Sequence, residues 1–429
     1  MAMPDTTLEL IDIDRLRVGV FVQLDLHWTQ HPFQFSAFLI KSEAQLEKLR
    51  ALGVQQVRWS RGRSEVEPLP APVGAADVLE ARVAPADADR ATRAAARKAE
   101  LAEQQASLDR CEHYFAESSR QLRGIFQNVR ANPAQARAVA VAQVDAMVGE
   151  ALSTEDVAIR LLSEKSGHET TLHAMNVSVL SILLGRVLGF DAVQIAHLGV
   201  GAMLHDVGKI ELPDRLRWRD DVAPAAERRL FQEHCAHGVA LGKRMGLAPE
   251  VIEIIAQHHE QADGRGYPAA LAGEAIRPLA RVVALVNQYD NLCNPGNPAH
   301  ALTPHDALAM IFARQRDAFD PGVLAAFVRM MGVYPPGSVL QLNDERFAIV
   351  ASVNSERPLK PRIVIHDPDV PPEEALVVDL EERPDLGVQR AVKPLQLPRA
   401  VFDYLSPRKR MCYFFERSLG APGGRSMRG

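Results

Sequence analysis

The chain is poor in cysteine: Cys111, Cys235, Cys293 and Cys412 are scattered through 429 residues with no C-x-x-C pair. That pattern gives no support to a disulfide framework or a zinc ribbon, and it suits a reducing, cytoplasmic setting. No apolar run approaches the roughly 20 residues that span a bilayer. The first stretch, MAMPDTTLELIDIDRL, carries acids where an export signal carries basic residues, and it has no apolar core, so export is not expected. Basic excess is missing too: a net charge of −5 and a pI near 6.3 leave no footprint for binding nucleic acid in bulk. What remains is an ordinary globular composition, 47% hydrophobic and 24% charged, on a chain long enough for more than one domain.

Residues 1–61 mix short β-like runs such as VGVFVQLDL with one clear helix, SEAQLEKLRALG. Ser42 can cap it, Leu46, Leu49 and Leu52 share a face, and Gly53 can end it before the strand VQQVRW. This reads as a small α+β domain. Residues 62–132 read as a Pro- and Ala-rich linker, then a polar helix from about Arg90 to Arg130. That helix could be a homodimerisation arm or a solvated connector. From 133 to 335 the pattern is almost wholly helical, with Pro249, Pro278, Pro304 and Pro321 each placed where a first turn begins. Residues 336–429 change to short strands, SVLQL, RFAIVASV and PRIVIHD, ahead of a flexible Gly/Arg tail. The fold class is therefore mainly α: a helical bundle between a small α+β domain and a small β-rich module.

Histidine is the informative residue, because ten of the fourteen fall between His168 and His305. Glu169 and His173, four apart, share a helix face. His205 and Asp206 close the apolar stretch HLGVGAMLHD, where a solvated pair would be out of place. His234 and His237 follow with Gly238 beside them, and His258-His259 ends another helix. One buried histidine bonded to a carbonyl is commoner than a metal ligand, and the doublet could merely cap a helix C-terminus. The joint order His, His-Asp, His, His-His, from four helices, is the kind of donor set that a multinuclear Fe or Mn site uses. His168, His197, His300 and His305 read as surface or supporting residues.

HDVGKIELPD together with HHEQADGRGYP resembles the HD-GYP family, bacterial HD-superfamily phosphohydrolases acting on cyclic di-GMP; the resemblance covers about residues 150 to 333. The N-terminal segment is similar to a small domain of unknown function often found ahead of HD-GYP. The resemblance implies an HD-type helical domain with two or three divalent metals, Fe or Mn, held by Glu169, His173, His205, Asp206, His234, His258 and His259. It implies a bridging role for Asp206 and, for Lys209, neutralisation of a phosphate oxygen. Such metals activate water and offset charge on a leaving oxygen, and an ammonium offsets charge on the other oxygens.

The resemblance also implies an active-site role for the loop holding Arg265, Gly266 and Tyr267, or a role in contacting a GGDEF-domain partner. Two departures stand out. The last ligand position, an aspartate in the superfamily, is Asn287, which brings no negative charge. Asp290 one turn on could substitute for it or serve structurally. No Arg or Lys occurs between Asp290 and Arg314, where many members carry a cationic run, so substrate grip falls to Arg265, Lys209 or Arg281. The expected activity is hydrolysis of cyclic di-GMP to pGpG and onward to GMP. The alternatives are a weakly catalytic receptor module and an HD hydrolase for another nucleotide.

Overall fold

The computed structural model describes residues 8–24, 33, 35–52, 54–69, 75–153, 157–163, 169–217, 224–354 and 360–417. The chain divides into two compact units, Met1–Ala96 and Arg97–Gly429. In the first, strands β1 (Leu8–Asp12), β2 (Phe21–Gln23), β3 (Ala37–Leu39) and β4 (Gln56–Ser60) form an antiparallel sheet in the order β1-β4-β2-β3. Helix α1 (Glu43–Arg50) contributes Leu46 and Leu49 to a core with Leu16, Val20, Val22 and Ile40. Ser42 is the N-cap residue but makes no side-chain cap bond; Gln45 Oε1 instead accepts from the Lys41 amide at 2.7 Å. Gly53 and the Gly/Arg tail lie outside the described residues.

Helix α2 runs over Ala75–Asn128, starting well before residue 90. Pro85 is the one proline in residues 75–89, and the surrounding Ala, Leu, Glu and Arg are strong helix formers. Nor is its C-terminal half a solvated connector. Phe115, Leu122 and Ile125 recur at helical spacing and are buried in the core of the second unit.

That core is built by α3 (Pro133–Leu152), α4 (Glu169–Val187), α5 (Ala192–Leu204), α7 (Ala225–Met245), α8 (Pro249–Gln257), α9 (Pro278–Cys293), α10 (Pro304–Arg314) and α11 (Pro321–Met331), with the short α6 (Asp214–Arg217) between α5 and α7. Proline opens α8, α9, α10 and α11, as the sequence predicts, because the first turn needs no amide donor there. Thr303 and Asp320 cap the last two through their side chains. Among the described residues no helix is long and apolar enough to cross a membrane.

The β-rich part is not confined to the C-terminal stretch. Strands β6 (Val339–Leu342), β7 (Phe347–Asn354), β8 (Arg362–Ile365), β9 (Val377–Asp379), β10 (Val388–Val392) and β11 (Tyr413–Arg417) join β5 (Val157–Leu161), which precedes α4. The order is β10-β6-β7-β5-β11, with β8 beside β7 and β9 beside β8; α12 (Arg399–Leu405) precedes β11. Every pair is antiparallel. The segment expected to be almost wholly helical thus supplies the strand between β7 and β11. A buried ion pair, Arg160 to Glu416 at 3.0 Å, crosses that join.

Candidate metal centre

Five helices bring the expected donors together. α4 packs on α5 and α9, α5 on α8, α7 on α8, and the turn Val207–Glu211 lies along α7. This last contact explains the glycine in HDVGK: a Cβ on Gly208 would stand 1.9 Å from the His234 carbonyl oxygen and 2.4 Å from the Gly238 nitrogen. Only glycine lets the turn carrying Asp206 and Lys209 lie directly on the α7 backbone.

The imidazoles are oriented from behind. His205, at the end of α5, donates Nδ1–H to Ala202 O at 2.7 Å; His234 on α7 donates to Phe231 O at 2.6 Å; His258, at the end of α8, donates to Ile255 O at 2.9 Å. His173 on α4 donates Nδ1–H to Asp290 Oδ2 at 2.7 Å. With Nδ1 engaged behind it, each ring turns its Nε2 forward. The Nε2 atoms meet in two pairs, His173 with His205 and His234 with His258, each 3.2 Å apart.

Asp206 sits between the pairs. Its Oδ2 is 3.2 Å from His205 Nε2 and 3.8 Å from His173 Nε2, and its Oδ1 is 3.5 Å from His234 Nε2 and 3.7 Å from His258 Nε2. Lys209 Nζ donates to Oδ2 at 2.6 Å, while its ammonium lies 5.2 Å from the centre of the Phe231 ring. Asp206 Oδ1 and His259 Nε2 are buried and, among the described residues, have no hydrogen-bond partner.

Two acceptors at 3.2 Å repel unless a cation lies between them, and on His205 and His234, one ring of each pair, a proton is a poor candidate. Burial pushes His205 down to about 4 and His234 down to about 3, and burial with the neighbouring His258 and His234 pushes His259 well below its ordinary value. Burial opposes ionisation of Asp206, but the Lys209 ammonium and the His205 ring outweigh it and hold the carboxyl well below the usual range. Among the described residues, two groups that could hold a metal ion result: Asp206, His234, His258 and His259, and His173, His205 and Asp206. The donor chemistry fits divalent cations, with one carboxylate oxygen turned to each group.

The loop after the doublet is held by a residue that motif reading left without a role. Glu260, 2% exposed, accepts from the Ala269 amide at 2.7 Å and the Leu271 amide at 2.8 Å, closing the turn over its own side chain. Its one signal in the sequence was an acid directly after two histidines. The Tyr267 ring stacks on His259 with centroids 4.4 Å apart, and its amide donates to the His259 carbonyl oxygen. A Cβ on Gly266 would stand 2.5 Å from Glu260 Cα and 2.3 Å from the Gln261 nitrogen, so the turn packs flat on the chain leaving the doublet.

Other expected residues are placed differently. The Arg265 side chain is 83% exposed beside Asp263. Arg281 is committed to Asp320 Oδ2 at 3.0 Å and Ile276 O at 2.8 Å, so it pins α9 to the start of α11 and does not wait for phosphate. Asn287 is buried on α9 and accepts from Asn291 Nδ2 at 3.0 Å. His237 is partly exposed near Glu233, His197 faces Glu250, and His305 bonds the Val333 carbonyl. His168 and the side chain of Glu169 lie outside the described residues.

Residues 156–323 match the family described as "HD domain", and residues 8–140 match the family described as "Domain of unknown function (DUF3391)". The chain carries an HD domain. A cyclic di-GMP phosphodiesterase of Pseudomonas aeruginosa is 29% identical over 365 residues, covering 83% of this chain and 85% of that protein. The cyclic di-GMP phosphodiesterase response regulator RpfG of Xanthomonas campestris is 31% identical over 162 residues, 37% of this chain and 43% of that protein's length. Among solved structures, a HDG"Y"P protein from Bdellovibrio bacteriovorus overlays with a TM-score of 0.40 at 17% identity, over 75% of this chain and 98% of that one. The DUF3391 match extends past the small sheet unit through α2 and into α3, whereas the HD match begins just before β5.

Proposed function

We propose that this chain is a metal-dependent phosphodiesterase that hydrolyses cyclic di-GMP to pGpG and onward to GMP. One observation carries the reading: two pairs of facing Nε2 atoms at 3.2 Å with the Asp206 carboxylate between them. The relatives named cyclic di-GMP phosphodiesterases support the substrate. His234, His258, His259 and Asp206 would hold one divalent cation, and His173, His205 and Asp206 a second. Glu169 and Asn287 are candidates for the remaining positions, and Fe or Mn suits the mixed nitrogen and oxygen donors. Bound there, the metals supply Lewis acidity toward phosphate and activation of water.

The protein's own groups orient and neutralise. Asp206 fixes the spacing between the two halves through its two oxygens. The Lys209 ammonium, 25% exposed at the rim, is positioned to meet a phosphate oxygen beside the carboxylate it now holds. Tyr267, stacked on His259, walls the site and offers a ring face to a guanine base. Anaerobic loading with Fe(II) or Mn(II), followed by cyclic di-GMP turnover beside His205→Ala and Asp206→Ala, tests the reading. Turnover no higher than in those controls overturns it.

A second reading has its own support. Asn287 brings no charge, Arg281 is committed to Asp320, and Arg265 points to solvent, so phosphate grip rests on Lys209. On this reading the domain binds cyclic di-GMP, hydrolyses it weakly, and signals through a protein partner, of which a GGDEF-domain protein at the Tyr267 loop is one. Tight binding without turnover in the metal-loaded protein, with turnover restored by Asn287→Asp, selects it.

A further inference from the structure

Behind His173 lies a buried polar network centred on Asp290. Asp290 is fully buried; its Oδ2 accepts from His173, while its Oδ1 accepts from Asn176 Nδ2 at 2.8 Å and Asn294 Nδ2 at 2.9 Å. Both carboxamides are fixed in turn by the chain that leads into β11. Asn176 Nδ2 also donates to Met411 O at 2.8 Å, and its Oδ1 accepts from the Tyr413 amide at 3.0 Å. Asn294 Nδ2 donates to the same carbonyl at 3.0 Å, and its Oδ1 accepts from the Met411 amide at 2.7 Å. The Met411 carbonyl and the Asp290 carboxylate are thus bridged by two amides, one from α4 and one from just after α9.

We propose that Asn176 and Asn294 are positioning residues for His173. On this proposal, Met411–Tyr413, far beyond the HD match that ends at residue 323, completes the support of the metal centre. A carboxylate that bonds only an imidazole can swing about its Cβ–Cγ bond. One whose other oxygen is gripped by two amides holds the ring, and hence the direction of the forward Nε2, in a single orientation. The side chains must be amides. Each NH2 serves two acceptors and each oxygen takes a backbone N–H, so an aspartate would set oxygen against oxygen with no change of volume. Asn176 lies on the face of α4 that also carries His173, three residues earlier, so a shift of the C-terminal chain reaches the histidine through one helix turn.

This proposal rests on the metal-centre reading, and its test separates the two. Full-length Asn176→Ala, Asn294→Ala and the isosteric Asn176→Asp are compared with wild type by Mn(II) titration, metal content per chain and melting of the metal-free protein. Leu340→Ala, in the small core of the C-terminal sheet, serves as a variant that loses stability without touching the network. The expected result is Mn(II) affinity at the His173 side weakened about 10-fold or more in all three network variants, with Asn176→Asp at least as weak as the alanine and Leu340→Ala unchanged. Asn294 is only partly buried, so Asn294→Ala carries the test if Asn176→Ala does not fold. Network variants that melt lower yet bind Mn(II) like wild type overturn the proposal. A wild type that binds no metal overturns the metal-centre reading instead.

Discussion

The two halves of the histidine site are built by different means. On the side of His234 and His258, each ring is anchored to a carbonyl three residues back in its own helix, and His205 follows the same rule through Ala202. His173, facing His205, is anchored by a side chain 117 residues away on another helix. A local anchor comes with the helix and cannot be removed by substitution. A tertiary anchor depends on α4, α9 and the chain before β11 all being in place. On the proposed reading, the His173 half is therefore where sequence change can tune metal binding without altering a donor.

Asp206→Ala removes the carboxylate common to both halves; metal content should fall to near zero and cyclic di-GMP turnover by more than the roughly 100-fold that loss of an outer-shell partner costs. Asp290→Ala should weaken metal binding about 10- to 100-fold, and in one half only, so elemental analysis should show partial occupancy where Asp206→Ala shows none. Equal loss at both halves would remove the distinction.

Acidification should strike locally anchored rings, one in each half. His205 and His234 have folded values near 4 and 3, below the ordinary 6.5. Between those values and 6.5 the unfolded chain binds more protons than the folded one. Their contribution to stability is therefore complete above about pH 6.5 and is lost as pH falls toward 4 and 3. Denaturant midpoints of metal-free protein from pH 8 to 4 check this, and bound metal should oppose the decline.

Gly266→Ala drives a Cβ into the backbone of Glu260 and Gln261, so it should lower stability by about 1–3 kcal/mol and disturb Tyr267 before it disturbs the donors. Thermal melting and metal content together check that order. Asn287→Asp should act in the opposite direction, putting a charged oxygen at a candidate ligand position and tightening metal binding by at least the roughly tenfold of an outer-shell change. Unchanged affinity would place residue 287 outside the centre.

The helix starts at Pro249, Pro278, Pro304 and Pro321 were legible because a proline at the first turn acts locally. The strands in SVLQL, RFAIVASV and PRIVIHD were legible for a similar reason. Strand β5, VAIRL, was not: five buried residues between helices have no period that distinguishes strand from helix, and only β7 and β11 on either side decide it. The burial of α2 escaped for the opposite reason, since its apolar stripe is thin among many charged residues and its core partners lie far along the chain.

The candidate donors were legible in the sequence to different degrees: His205, Asp206, Lys209, His258 and His259 fall inside two short motifs, whereas His173 and His234 were marked only by their order along the chain and by the family resemblance. Only the tertiary structure decided how that inventory is divided. It turned one Asp206 oxygen to each pair of rings, committed Arg281 to Asp320, and set Asp290 behind His173 in the grip of Asn176, Asn294 and the Met411 carbonyl. Those bonds join residues up to 235 positions apart. No local spacing encodes them, because a hydrogen bond between distant segments exists only once packing has brought its donor and acceptor within about 3 Å.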